Sequence, residues 1–271
     1  MRLIGIRFVR SQINRWRGER AKRRVLALAP QAEPEIVRAD WEESLHDPTG
    51  FYLLAFRYFH LRLPALLQEH RRYFSTDGRG FGEDAFHTMW FLLRREFGWE
   101  SFLEIGVFRG QTLSLCALLS RLNHQPCEVH GISPFSSTGD SVSRYQCRVN
   151  YREDTLANFD HFGLPHPQLL KAYSTEAAAL ERIASRDWSG IYIDGNHDYE
   201  VAKADWKACS AAVAKGGVIV LDDSALGTAY RPPRFAFGGH PGPSRVAAEI
   251  DRTGFREILR VGHNRVFQRV A

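Results

Sequence analysis

Residues 255–270 read FREILRVGHNRVFQRV, two strand-like runs, 255–261 and 264–270, joined by only Gly262 and His263. A connection that short permits an antiparallel hairpin and leaves no room for a crossover helix. Upstream, apolar strand-like runs at 101–105, 127–132, 168–172, 190–194 and 217–221 alternate with helical patterns near 110–122, 142–160, 175–186, 199–214 and 244–253. Such alternation selects an α/β fold with a mostly parallel sheet covered by helices on both faces. Seven strands are expected, the last one reversed. An ordinary dinucleotide-binding fold would place another helix before its final strand.

Ahead of residue 99 the chain reads differently. Residues 25–50 carry Pro30, Pro34 and Pro48 and suit a linker with short helical pieces, while 51–73 and 85–97 are aromatic-rich at helical spacing, with a break at Pro64. Together, residues 25–98 form a helical extension or cap whose aromatics suit a core. Residues 1–24 form a basic arm with nine Arg or Lys and one Glu, interleaved with Ile4, Ile6, Phe8, Val9, Ile13 and Trp16. The arm suits a solvated or oligomer-contacting role, or peripheral contact with an anionic membrane surface. A homo-oligomer is expected.

The rest of the chain has 27 basic residues against 30 acidic ones. A mildly acidic body argues against nucleic acid as the main substrate, because phosphate binding needs clustered cations. Cys116, Cys127, Cys147 and Cys209 show no CxxC spacing, which fits reduced thiols in the cytoplasm. No apolar run approaches the ~20 residues needed to cross a bilayer.

The first strand of the catalytic region, 99–271, runs into a glycine turn: Phe102-Leu103-Glu104-Ile105-Gly106-Val107-Phe108-Arg109-Gly110-Gln111-Thr112. Gly106 allows a sharp turn and close approach of a ligand, and Gly110 a tight helix start. The spacing is ExGxxxG rather than the GxGxxG of nicotinamide and flavin sites. It resembles motif I of the class I S-adenosylmethionine (SAM) methyltransferases, whose Rossmann-like sheet also ends in one reversed strand.

That resemblance implies that Glu104 and residues 106–112 hold SAM, with Glu104 and Gly106 facing its methionine end. It implies an acid on the ribose at the end of the second strand, where this chain has Ser133 in Gly131-Ile132-Ser133-Pro134-Phe135. A serine keeps one hydrogen bond and loses the charge-assisted, two-pronged contact. Phe135 either stacks near the adenine or joins the core, and Ser174 and Thr175 stand where relatives meet the adenine.

Two further apolar strands end in carboxylates. They are Ile191-Tyr192-Ile193-Asp194-Gly195-Asn196-His197-Asp198-Tyr199, and the run from Lys215 to Leu221-Asp222-Asp223, with Asp205 on the helix between. In open α/β sheets such carboxyl ends are where ligands bind. Three aspartates brought together repel unless a cation sits among them, and oxygen ligands suit Mg²⁺, Mn²⁺ or Ca²⁺. The order IDGxHxY, helical Asp, GGxxxxDD resembles small-molecule and sugar O-methyltransferases of the macrocin and novobiocin pathways and the cephalosporin hydroxylase-like proteins.

By that resemblance Asp194, Asp222 and Asp223 hold a divalent cation, Mg²⁺ being the expected ion, with Asp194 also beside SAM. Some relatives carry an acidic general base where Asn196 stands, which moves the role to His197 or Asp198. Either residue is equally suited to capping the helix that starts near Tyr199. The loop SALGTAYRPPRFAFGGHPGP after the acidic pair offers Tyr230, Arg231, Arg234, Phe235 and His240 to an acceptor pocket, or is a surface insertion.

The expected activity is SAM-dependent, metal-dependent O-methylation of a sugar, glycan or small secondary metabolite, a vicinal diol being the best chelating acceptor. The alternatives are a metal-independent methyltransferase and a non-catalytic binding protein on the same fold.

Overall fold

The computed structural model describes residues 16–28, 34–143, 145 and 148–270. Seven strands, β1 (Ser101–Ile105), β2 (Glu128–Ser133), β3 (Gln168–Lys171), β4 (Trp188–Ile193), β5 (Val213–Leu221), β6 (Phe255–Val261) and β7 (Asn264–Arg269), form one sheet in the order β3-β2-β1-β4-β5-β7-β6. The pairings among β1 to β5 are parallel; β7 runs antiparallel to both β5 and β6. The expected α/β sheet with its closing hairpin is therefore present. Strand order reverses between β1 and β4, so the carboxyl ends of these two strands flank the crevice where such sheets bind ligands.

Side-chain alternation along the strands divides the interior in two. Phe102, Tyr192, Val218 and Val220 point to one face, and Leu103, Ile105, Ile191, Ile193, Ile219 and Leu221 to the other. The second face is covered by α8 (Ala177–Ala184), α9 (Tyr199–Ala212) and α10 (Pro241–Glu249), which supply Ala179, Ile183, Ala202, Cys209 and Val246.

The first face is covered by α6 (Gln111–Leu122) together with α3 (Pro48–Leu61), α4 (Ala65–Phe74) and α5 (Asp84–Phe97). The N-terminal extension is thus one layer of the sandwich, and its Phe56, Phe86, Met89, Trp90 and Leu93 are buried. Pro64 stands at the N-cap of α4 and separates it from α3. The linker forms a 3₁₀ turn at Arg38–Glu42 and the short α2 (Glu43–His46).

Residues 1–15 of the expected arm lie outside the described residues. From residue 16 a helix, α1, is described over 16–27 and runs through the expected arm boundary at residue 24. A Cβ at its Gly18 would stand 3.8 Å from Phe235 Cβ. No helix among the described residues is long and apolar enough to cross a membrane. Cys116, Cys127 and Cys209 are free, and Cys147 lies outside the described residues.

Several boundaries differ from expectation; β5, for one, begins at Val213 rather than 217. The helix read from 142 begins at Tyr151, as α7 (Tyr151–His161), with the Asn150 side chain accepting the Glu153 N–H at 3.3 Å. Before it, the Asp140 carboxylate accepts the N–H groups of Val142 and Ser143 at 2.9 and 2.7 Å, a local turn that competes with helix. The last helix starts at Pro241 rather than 244, proline being well suited to a first helical turn.

Candidate active site

Gly106 joins three strand tips. Its N–H donates to Ile132 O at 2.9 Å, and Asp194 N–H donates to Ile105 O at 2.9 Å. Gly106 has φ +98°, and a Cβ there would lie 1.9 Å from Asp194 O, so only glycine fits. Two cavities flank this point.

One, of about 180 Å³, is lined by Gly106, Val107, Phe108, Ser133, Phe135, Ser174, Thr175 and Asp194. It brings together the expected donor-site residues of four strand tips. Ser133 Oγ accepts the Phe135 N–H at 3.3 Å, with Phe135 held at φ +47°.

The other, of about 420 Å³, reaches from Glu104, Arg109, Gln111 and Thr112 across to Asp222 and Asp223. Gly106, Phe108, Tyr145 and Asp194 line both cavities. Glu104 is 3% exposed, and its Oε2 has no hydrogen-bond partner. Burial pushes its carboxyl up to about 8. A buried carboxylate oxygen facing a cavity suits a cationic ligand group such as the ammonium of SAM.

Arg109 is otherwise engaged: Nε and Nη2 donate to Asp154 at 2.5 and 3.0 Å and Nη1 to Asp77 O at 3.1 Å. Gly110 (φ +77°) stands at the N-cap of α6, where a Cβ would meet Thr155 Cγ2 at 2.6 Å.

The acidic pair follows β5 directly. Asp222 N–H donates to Ile193 O at 3.0 Å, which sets the β5 tip beside that of β4. Asp223 has φ +51°, a conformation that costs a non-glycine residue about 1–3 kcal/mol. Its carbonyl is held by His240 N–H at 2.8 Å and by the Ser244 hydroxyl at 3.2 Å.

The carboxyl groups of Asp194 and Asp222 face each other, an arrangement that repels unless a proton or a cation lies between them. Burial, then the facing Asp222, raises the Asp194 carboxyl; burial, then Asp223, raises that of Asp222. Asp223 is lowered, because hydrogen bonding and charge from His197 outweigh burial.

His197 lies between two carboxylates, with Nδ1 2.6 Å from Asp140 Oδ2 and Nε2 2.9 Å from Asp223 Oδ2. Burial alone would lower its pKa; these two partners raise it to about 9. At neutral pH the imidazole therefore holds its proton. Asp198 is the N-cap residue of α9 without a capping side-chain bond. It pairs with the Ser141 hydroxyl instead and lines neither cavity. Asn196 Oδ1 accepts the Asp198 N–H at 2.7 Å.

Two further histidines meet the pair. His240 Nε2 is 3.6 Å from Asp223 Oδ2, and His263 Nε2 is 3.4 Å from Asp222 Oδ1 and 3.5 Å from Asp223 Oδ1. Among the described residues, two groups offer three ligand atoms each within 4.8 Å of one another: His197, Asp223 and His240, and Asp222, Asp223 and His263. Asp194 reaches the pair through Asp222 and belongs to neither group.

Of the loop after the acidic pair, His240 reaches the larger cavity and so does Phe237, whose N–H donates to Glu83 Oε1 at 2.8 Å. Tyr230 and Phe235, expected in the acceptor pocket, pack instead against Tyr52 and Phe56. Their rings complete the core beneath the extension, which buries more apolar surface than the cavity rim offers. Arg231 donates to the Thr228 and Tyr230 carbonyls.

Sequence reading alone missed Asp140 and His263. His263 was legible in principle: β7 pairs antiparallel with β5, Leu221 opposite Arg265, so the hairpin turn must lie beside residues 222 and 223.

Residues 103–224 match the family described as "Methyltransferase domain". Among curated protein sequences none matches the chain. Solved structures with the same fold include an S-adenosylhomocysteine-bound methyltransferase from Podospora anserina, at 14% identity, TM-score 0.54, over 77% of this chain and 89% of that one. An O-methyltransferase from Bacillus cereus bound to S-adenosylhomocysteine matches at 14% identity and TM-score 0.53, over 87% and 100%. TomG, an O-methyltransferase from Streptomyces achromogenes solved with SAM, matches at 14% and 0.53, over 88% and 100%. The chain thus shares the fold of these methyltransferase structures, and residues 103–224 match a methyltransferase domain.

Proposed function

We propose that the protein transfers a methyl group from SAM to a hydroxyl of a small molecule or glycan, with a divalent cation held at Asp194, Asp222 and Asp223. The observation that carries this reading is the shared wall of the two cavities at Gly106, Phe108, Tyr145 and Asp194. A ligand seated on the glycine turn there is within the same space as the acidic pair. Likeness of fold to O-methyltransferases supports oxygen as the atom methylated.

When bound, the donor supplies an electrophilic methyl group and the cation a Lewis acid for the acceptor oxygen. The chain's residues bind and orient. Gly106 leaves room for the donor against the β1 and β4 tips, Glu104 Oε2 receives its ammonium, and Ser133 accepts from a ribose hydroxyl. Phe81, Trp90 and Phe237 give the larger cavity apolar walls for the acceptor. His197 fixes the Asp223 carboxylate, and Asp140 fixes His197.

A metal-independent transferase is the second reading, favoured by the histidines that already face Asp222 and Asp223. Calorimetry with S-adenosylhomocysteine and turnover on a panel of sugar and catechol diols, each with Mg²⁺ and with chelator, separate the two. We expect donor binding in both conditions and a loss of turnover on the order of 100-fold with chelator or in Asp222→Ala and Asp223→Ala. Undiminished turnover in those variants would leave only the second reading, and absent donor binding would remove both.

A further inference from the structure

We propose that the cation site is built on histidine as well as carboxylate and selects a borderline transition-metal ion, of the Mn²⁺, Co²⁺ or Zn²⁺ kind, over Mg²⁺. This rests on the reading that a divalent cation serves the acidic pair, and it changes both the ligand set and the ion. Asp223 is the shared member: Oδ2 faces His197 Nε2 and His240 Nε2, while Oδ1 faces His263 Nε2, which also faces Asp222 Oδ1.

The three histidines come from three separate places: the β4–α9 loop, the residue before α10, and the β6–β7 turn. No local repeat brings them together. Each is directed by the tertiary fold at one pair of carboxylates.

In two of the three the other ring nitrogen is also tied. His197 Nδ1 is 2.6 Å from Asp140 Oδ2, and His263 Nδ1 is 3.2 Å from Phe237 O. A histidine whose Nδ1–H is taken by a carboxylate or carbonyl is held in a fixed direction, and an incoming metal ion that displaces its Nε2 proton meets the lone pair there, which is how metal-binding histidines are oriented.

Asp140 is itself pinned by the N–H groups of His197, Val142 and Ser143. An independent observation is that the Asp222 carboxyl is loosely partnered. Asp222 is 8% exposed, faces the larger cavity, and its Oδ1 makes no hydrogen bond, His263 Nε2 standing 3.4 Å away.

Imidazole nitrogen beside carboxylate suits the later first-row ions, whereas Mg²⁺ demands oxygen and keeps its waters. A set of purely structural ion pairs would account for His197 between its two carboxylates. It would leave Asp222 Oδ1 with only the 3.4 Å approach of His263 and no hydrogen bond.

The test uses the full chain, stripped with chelator and dialysed, and titrates Co²⁺, Zn²⁺ and Mg²⁺ separately by calorimetry, with Co²⁺ also followed by its visible absorption. We expect Co²⁺ and Zn²⁺ to bind tighter than Mg²⁺ by on the order of 100-fold. Asp140→Asn, His240→Gln and His263→Gln should each weaken Co²⁺ by at least about 10-fold and alter its spectrum. Mg²⁺ binding should be untouched by His240→Gln and His263→Gln.

Equal affinity for Mg²⁺ and Co²⁺, with histidine variants indifferent, would overturn the inference and leave a carboxylate-held cation standing. No binding of any ion would overturn it together with the cation. S-adenosylhomocysteine binding, measured on the same samples, reports on the donor site separately. Should a variant not fold, the wild-type preference between Co²⁺ and Mg²⁺ decides alone.

Discussion

The carbonyl oxygen of Asp194 occupies the space that a side chain on Gly106 would need, 1.9 Å from its ideal Cβ. The glycine turn and the acidic strand tip are thus fixed to each other by backbone, and neither moves without the other. Gly106→Ala should destabilise the protein by about 3 kcal/mol, from the clash and from φ +98°. It should also cost S-adenosylhomocysteine affinity. Gly216 is the control: it has φ +81° with nothing within 4 Å of its ideal Cβ, so Gly216→Ala should cost only about 1 kcal/mol and leave binding intact. Thermal melts with calorimetry check both, and equal losses in the two variants would refute the backbone coupling.

Ser133 stands at the tip of β2 in the smaller cavity, where the resemblance to class I methyltransferases expects an acid. Its hydroxyl already accepts the Phe135 N–H, leaving a reduced capacity for ribose. Ser133→Asp should tighten S-adenosylhomocysteine binding by about 10-fold, the gain of charge-assisted hydrogen bonds over neutral ones. Unchanged or weaker binding in calorimetry would mean that the ribose is held elsewhere.

The seven-stranded sheet and its closing hairpin were readable because both follow from short-range pattern: apolar runs that end in glycine or carboxylate, and a two-residue link that admits only a reversed strand. The helix beginning at Tyr151 was misread from 142 because Asp140 draws backbone N–H groups into a turn, and its partner His197 is 57 residues away. Side-chain pairings such as Asp140 with His197, or His263 with Asp222, depend on which loops the sheet brings together. No periodicity encodes them. The same limit applies to Tyr230 and Phe235, whose aromatic character suits a pocket and a core equally until packing is known.

Asp205 lies on α9 at 1% exposure, under Gly195, with only the Ser174 hydroxyl to offset its burial. Burial pushes its carboxyl up to about 6, against about 3.9 in an unfolded chain. Between pH 4 and 6 the folded protein keeps a proton there that the unfolded chain has released, so stability falls as pH rises through this window. Above pH 6 the full cost, at most about 3 kcal/mol, is present. Asp205→Asn should therefore raise the melting temperature at pH 7.5 and have little effect at pH 4. A variant less stable than wild type at pH 7.5 would reveal a carboxylate partner that matters more than desolvation.

Glu104 gives the donor site a pH dependence of its own. Its carboxyl, pushed up to about 8 by burial, is protonated at neutral pH in the free protein. An ammonium placed beside Oε2 favours the carboxylate. Binding then releases a proton below pH 8, and affinity for S-adenosylhomocysteine should rise by up to about 10-fold per pH unit from 6 to 8 and level off above. Calorimetry in buffers of different ionisation enthalpy counts that proton directly. Glu104→Gln should bind more weakly at pH 8 and lose the pH dependence, while the other titrating groups of the cavity remain. If the variant keeps the wild-type slope, the proton belongs to another residue and the ammonium does not meet Glu104.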